Sequence, residues 1–591
     1  MSEKWTQILR GGDFKSIGEA LKISPITARI LRNREMKTLE EMKAYLSSSK
    51  EDFHSGSLLF GINNATSIMR RKIIEKKKIR IIGDYDVDGI CATYILYEGL
   101  IHMGADCDYT IPHRIEDGYG INVKLVDEAY EAGVDTIITC DNGIAAFDQT
   151  EHANDLLMTM IITDHHEVPF DIVDERKIYK IPNADAVIDP RLSQDEYPFK
   201  GICGAFVAYK FIDELSKVMG VFETCDFVSL MEELTEFAAL ATVCDVMELR
   251  DENRALVKIG MEYMASSKNE GLRQLIKVTG IEGKKITPYH LGFIIGPCLN
   301  ASGRLDTSLR AVELFSEKDP IKCNQLAEEL KRINEERKEM TLLQTQNAIN
   351  LIENKDELDK VLVVYLSECH ESLAGIIAGR VKERFKRPSF VITSTTDGLK
   401  GSGRSIEAYD MYENLTKVKH LLSKFGGHKM AAGISLSKEN LDEFTRQLNA
   451  NCDLEEKDFI ETLRMDMELP FQYASLQLCE ELELLEPFGV GNEKPLFARL
   501  GVTFLSGRII GKNNNAAKYR VSDGDGKVYE LVYFGDLEQI ERFVSEVYDE
   551  ETTADLHSGR SLNIKLDVAY QLSINEYMGR RSPQLQMKYY R

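Results

Sequence analysis

Asp84, Asp86 and Asp88 stand at alternate positions in the stretch GDYDVDG, directly after the apolar run KIRII. Other apolar runs end in the same way. TIITC stops at Asp141, TMIIT stops at Asp164 with His165 and His166 behind it, and AVI stops at Asp189. Like charges at the ends of buried segments cost free energy, because neighbouring carboxylates raise one another's pKa and lose hydration. Divalent cations remove that cost. Aspartates joined by histidine, with no cysteine in the set, suit Mn2+ or Mg2+ better than Zn2+, since carboxylates supply hard oxygen ligands and imidazole tilts the choice toward manganese. Two such ions about 3.5–4 Å apart could activate a water and neutralise charge around an attacked phosphorus. Taken singly, an aspartate after a strand is a turn or helix-cap residue. The recurrence at successive strand ends is what calls for metal.

These ends can meet only if the runs are neighbouring strands of one parallel sheet, whose ligands bind beyond the carboxyl ends of the strands. The runs are short, β-branched and lack polar alternation, so each predicts a strand buried on both faces. Their alternation with helix-like stretches from about 75 to 245 predicts a parallel α/β domain. We expect a helical segment over 1–50, where Thr38 and Glu41 have capping-box spacing, and the sheet domain over 51–270. A helical connector over 271–355 follows, in which Leu326, Leu330, Ile333 and Met340 mark one long helix from 323 to about 354. A second α/β unit over 356–455 is expected from KVLVVYL and PSFVITS. Over 456–591, apolar runs broken by Asn/Gly turn clusters predict a small β-barrel.

The length of 591 residues requires several domains. No apolar run reaches the ~18 residues of a membrane span, and the first residues do not read as a secretion signal, so a cytoplasmic monomer without membrane contact is expected. The 11 scattered cysteines form no CxxC pair, which argues against disulfides and structural zinc. A formal charge of −23 repels polyanions, so any nucleic-acid contact needs a locally basic groove or bound cations.

GDYDVDG, CDNG and TDHH, in that order, resemble the signature of DHH-family phosphoesterases. ATVCDVMELRDENRALVKIG resembles the family's fourth acidic motif, with Asp245 as its acid. IIGPCLNASGRLD (294–306), GSGRS (401–405), FGGHKMAAG (425–433) and LEPFGVGNEKPLF (485–497) are similar to motifs of the family's long bacterial exonucleases. The resemblance implies a DHH catalytic domain, a connecting helix, a DHH-associated domain and a C-terminal OB-like barrel. It further implies that Asp84, Asp86, Asp88, Asp141, His165 and Asp245 bind two Mn2+ or Mg2+ ions, Asp84 either directly or from one layer behind. Asp164 would orient the imidazoles and His166 would face the scissile phosphate, making Asp164, His165 and His166 the catalytic group. Asn300, Arg304, Ser402, Arg404 and His428 would hold substrate phosphates. Asp189, before Pro190, is expected to be a turn residue. The sequence departs from the pattern at Cys244, Glu248 and Cys298, the last standing where an arginine is expected and so removing one phosphate contact. Tyr519 and Tyr529 of the barrel either stack on bases or pack in the core.

The expected activity is metal-dependent 5′-to-3′ hydrolysis of single-stranded DNA to mononucleotides in repair and recombination. The partner is single-stranded DNA, with a single-strand-binding protein or a helicase as candidate protein partners. The alternatives are a phosphodiesterase of short oligonucleotides or cyclic dinucleotides, and a catalytically silent strand-binding scaffold.

Overall fold

A computed structural model describes residues 3–115, 117–174, 176–396, 398–511 and 514–591. The chain forms two compact units, residues 48–459 and residues 1–47 together with 460–591.

The larger unit is built on a five-stranded sheet of β1 (Lys78–Ile82), β2 (Asp106–Thr110), β3 (Thr136–Cys140), β4 (Thr159–Thr163) and β5 (Ala186–Ile188), in the order β2-β1-β3-β4-β5. All neighbours are parallel. Alternate residues of the β-branched runs serve opposite faces. Ile79, Ile81, Ile138 and Ile161 pack against α1 (Val87–His102), α2 (Gly204–Met219) and α3 (Cys225–Cys244), while Ile82, Ile137 and Ile162 join a second core with Leu125 and Val126. Strand register does the rest. Ile82 is level with Thr139, Cys140 with Thr163, and Thr163 with Ile188, so Asp84, Asp141, Asp164 and Asp189 stand side by side along one edge.

Past α4 (Gly296–Leu305), the long helix α5 (Pro320–Glu353) spans nearly all of the stretch expected to form one long helix, 323 to about 354. It leads to a second sheet of β6 (Leu362–Tyr365), β7 (Ser389–Thr395), β8 (Gly398–Arg404), β9 (Lys424–His428) and β10 (Ala431–Leu436), in the order β9-β10-β8-β7-β6, with α6 (Ala374–Phe385) packed on it. Among the strands that escape the sequence reading are β2, which is polar, and a hairpin of Phe170–Val173 with Arg176–Tyr179, which is exposed along its length.

In the smaller unit, strands Phe497–Ile510, Ala516–Ser522, Tyr529–Tyr533, Arg580–Tyr590 and Ile564–Tyr577 pair in sequence, and the last pairs again with the first, closing a barrel. The N-terminal helices belong to this unit. Asn33 and Arg34, at the end of helix Pro25–Asn33, both donate to the buried Asp466 carboxylate, which also accepts from Leu496 N. Tyr519 lies in the barrel core with its hydroxyl against His557 Nε2 at 2.8 Å, and the half-buried Tyr529 packs on Phe471 and bonds Asp525. Both are packing residues rather than base-stacking ones. Asp466→Ala would leave Arg34 buried without its counter-charge, which costs about 3 kcal/mol. The sole tryptophan, Trp5, lies in this unit, so its fluorescence in a denaturant titration should report the loss.

Candidate metal centre

Each acid at the sheet edge is fixed by a local device. Asp86 caps α1, accepting from Asp88 N at 2.9 Å and Gly89 N at 3.2 Å. Asp88 turns to the first turn of α2 and accepts from Gly204 N and Ala205 N, both at 2.7 Å. That approach demands glycine, since a Cβ at Gly204 would lie 2.7 Å from Asp141 Cβ, and one at Gly89 would lie 2.4 Å from Asp84 O. Asp141 adopts φ 60°, the left-handed region that aspartate enters more readily than most residues. Asp245 follows α3, and Val246 behind it is held at φ 59°, a strained value for a β-branched residue.

The result is a set of overlapping donor groups. Among the described residues, Asp84, Asp86 and Asp141 bring one oxygen each within 4.8 Å of one another, as do donors of Asp88, His165 and Asp245, and of Asp141, His165 and His166. His165 Nε2 ties them together, at 3.1 Å from Asp141, 3.4 Å from Asp88 and 3.8 Å from Asp245. All six residues expected to bind metal are therefore in one place. Burial, and then repulsion from neighbouring aspartates, pushes Asp84, Asp86 and Asp141 above the usual carboxylate range and Asp245 up to about 8. Asp84 Oδ1 is buried with no hydrogen-bond partner. An unpartnered buried oxygen among acids that cannot all ionise fits a divalent cation.

Asp164 stands apart. It accepts from Ile144 N, His165 N, His166 N and His166 Nδ1, the last at 2.7 Å. Burial opposes its ionisation, but the His166 imidazole and these donors hold it below the usual range. His166, whose burial favours the neutral form, is raised to about 9 by Asp164, whereas burial lowers His165. Asp189 spends Oδ1 on Arg191 N at 2.7 Å, as a turn residue does. It belongs to none of the donor groups.

Residues that the sequence did not single out complete the surroundings. Tyr119 places its hydroxyl 3.1 Å from His166 Nε2 and 3.0 Å from Asp141 O. Tyr85, between two of the acids, accepts Ser308 Oγ on its carbonyl and carries the Arg114 guanidinium 4.6 Å above its ring. Arg114 in turn lines a cavity of about 490 Å³ with Arg304, Arg380, Ser402 and Arg404. Burial and the nearby Arg114, Arg337 and Arg404 charges lower Arg304 to about 9. Arg404 donates to Ser402 Oγ at 3.1 Å, and a Cβ at Gly375 would meet both side chains. Cys298 is buried, with Asn334 Nδ2 3.4 Å from its sulfur, while Arg337 of α5 adds positive charge near Arg304. A second cavity of about 480 Å³ shares Ser402 and Glu371 with the first and is lined by Tyr85, Lys424, Phe425 and Gly426. Arg304, Ser402 and Arg404 are thus brought together, whereas Asn300 and His428 line neither cavity. His428 is exposed on β9, its Nδ1 accepting from Met430 N.

Metal should change the response of stability to pH. The raised acids favour the metal-free fold while protonated, a contribution complete below their unfolded pKa near 4 and lost as pH rises through the folded values, about 8 for Asp245. Mn2+ needs the ionised forms, so the gain in Tm on adding saturating Mn2+ should be larger at pH 8 than at pH 6. Equal gains, read by calorimetry, would count against the site.

Comparison with known proteins agrees with this arrangement. The DHH family N-terminal domain matches residues 78–242, the DHHA1 domain residues 358–453 and the RecJ OB domain residues 465–589. The single-stranded-DNA-specific exonuclease RecJ of Bacillus subtilis is 31% identical over 578 residues, covering 97% of this chain and 69% of that protein. RecJ of Haemophilus influenzae is 31% identical over 591 residues, covering 97% of each. The crystal structure of Thermus thermophilus RecJ in complex with Mn2+ covers all of this chain and 79% of that one, at 26% identity and a TM-score of 0.80; the Mg2+ complex gives 25% and 0.74, covering 78% of that chain. On sequence, domain content and fold, this chain belongs to the RecJ family of DHH phosphoesterases.

Proposed function

We propose that this protein is a metal-dependent exonuclease that hydrolyses single-stranded DNA from the 5′ end to mononucleotides, acting in repair and recombination. One observation carries the reading: overlapping carboxylate and imidazole groups lie in the same compact unit as an arginine-lined cavity, with Tyr85 reaching both. The names and metal-bound structures of the relatives support it. Asp84, Asp86 and Asp141 would hold one Mn2+ or Mg2+, and Asp88, His165 and Asp245 a second. Ions held there supply an acidified water and polarise the scissile phosphate.

The chain's own residues do the remaining work. Asp164 keeps His166 protonated near neutral pH, so that its Nε2, directed at the Tyr119 hydroxyl at 3.1 Å, can donate to a phosphate oxygen that takes the place of that hydroxyl. Arg304, Ser402 and Arg404, joined by Arg114, grip a terminal phosphate and set which bond lies over the acids. Asn300 and His428 act on the strand further from that grip. A groove that admits one backbone rejects a duplex on steric grounds and reads no bases. The protein acts as a cytoplasmic monomer, and a single-strand-binding protein or a helicase is the kind of partner that would present it with a free strand.

Long 5′-labelled single strands, matching duplexes, dinucleotides and cyclic dinucleotides, each incubated with Mn2+, test the reading. The long strand should shorten progressively and the duplex should resist. Asp141→Ala should lower the rate by at least about 100-fold, the order expected when charge stabilisation in the transition state is lost. Cleavage confined to dinucleotides or cyclic dinucleotides, or binding without turnover, would overturn it. Arg404→Ala should raise KM for a 5′-phosphorylated strand roughly 10- to 100-fold, with less effect on a 5′-hydroxyl strand.

A further inference from the structure

The acids and the arginine cavity account for metal and phosphate but not for the bases of a strand. We propose that Tyr289 and Phe293 form a stacking seat for nucleobases of the single strand next to the metal centre. The proposal rests on the nuclease reading above and deepens it.

The two residues lie four apart on the helical segment that enters α4, and they are 62% and 69% exposed. Their rings stack on each other, centroids 5.3 Å apart and planes 22° from parallel. The inward side of the same segment is already satisfied, since Leu291 and Ile295 are buried in the core. The aromatic face is therefore surplus to packing, and a flat pair of rings matches a base, which stacks whatever its sequence.

Location ties the pair to the reaction. Leu291–Ile295 is a π-helical turn, a rare geometry that gathers at functional sites, and Phe293 is its central residue. This turn is pinned to the end of α3. Leu291 O accepts from Cys244 Sγ at 3.6 Å, and a Cβ on Gly296 would come within 2.4 Å of the same sulfur. Cys244 directly precedes Asp245, so the contact that seats this metal acid also seats the rings. The segment then runs through α4 to Arg304 in the phosphate cavity, eleven residues or about 16 Å further along a continuous helix. Lys284 and Lys285 precede the aromatic turn in sequence, and burial together with the Lys284 ammonium lowers the pKa of His290, which follows Tyr289. Exposed, mutually stacked rings on the helix that ends in the arginine cavity describe a surface for the bases of a strand rather than for an apolar protein helix.

The full chain would be compared with Tyr289→Ala/Phe293→Ala and with the ring-preserving swap Tyr289→Phe/Phe293→Tyr. The substrates are 5′-phosphorylated oligonucleotides carrying 2-aminopurine at successive positions, with EDTA present so that the strand is held and not cut. In the wild type, 2-aminopurine fluorescence should be quenched at one or two adjacent positions. The alanine variant should lose that quenching and bind at least 10-fold more weakly, and the swap should keep both. An abasic residue at the quenched position should weaken wild-type binding to the same degree while leaving the alanine variant unaffected. Unchanged quenching and affinity in the alanine variant would overturn the proposal. A loss of affinity that persists with the abasic strand would do so as well, since it would mark a structural role, as would binding of a protein partner at these rings without any effect on DNA. Failure of the wild type to shorten the strand once Mn2+ is restored would instead sink the nuclease reading and leave the stacking result to stand by itself.

Discussion

Repulsion among buried carboxylates at the carboxyl edge of the parallel sheet is the constraint around which the larger unit is arranged. Sheet register sets Asp84, Asp141, Asp164 and Asp189 side by side, and Asp86, Asp88 and Asp245 are brought in from helix ends. The fold meets the cost only in part. Asp86 and Asp88 are held by amides at the starts of α1 and α2, and Asp164 by three amides and an imidazole. Asp84 receives less, and its buried Oδ1 stays unpartnered. Backbone that would otherwise be unremarkable is drawn into serving this edge: glycines where α1 and α2 touch the acids, and positive φ at Asp141 and Val246.

A cluster of the opposite sign stands nearby in the same unit. With a net charge of −23 the chain has no general attraction for a polyanion, yet Arg114, Arg304, Arg380 and Arg404 converge on one cavity. Their crowding is unfavourable in the way that the acids' crowding is, and burial, joined by the Arg114, Arg337 and Arg404 charges, depresses Arg304 to about 9. Tyr85 links the two clusters, its backbone flanked by Asp84 and Asp86 and its ring beneath Arg114. Opposite charge relieves each cluster, cations the first and anions the second.

Much of this was legible in the sequence because it rests on local pattern. The β-branched runs became strands, and the acids behind them met because parallel strands end in step. What was hidden depends on partners distant in the chain. The strand DCDYT has no apolar run to mark it, and its polarity is explained only by the edge position and by Asp108 pairing with Arg80 on β1 at 2.7 Å. The N-terminal helices gave no sign of joining the barrel, since the contacts of Asn33 and Arg34 with Asp466 span more than 430 residues. Arg114 lies in irregular chain without periodicity to mark it. Tyr519 was open to either stacking on bases or packing in the core, since sequence alone does not say which face of the strand it takes, and that face is the inner one.

The adjacent histidines show why one aspartate with no place in the donor groups matters to the chemistry. Imidazole is useful as a metal ligand when neutral and as a phosphate donor when protonated, and two neighbouring copies in one environment would tend toward the same state. Here burial lowers His165 and leaves its Nε2 facing Asp88, Asp141 and Asp245, whereas the bond from His166 Nδ1 to Asp164 draws His166 upward. Asp164 can do this because amide donors hold it ionised where the other acids are pushed toward protonation. The order Asp-His-His thus drives two identical side chains toward opposite protonation states.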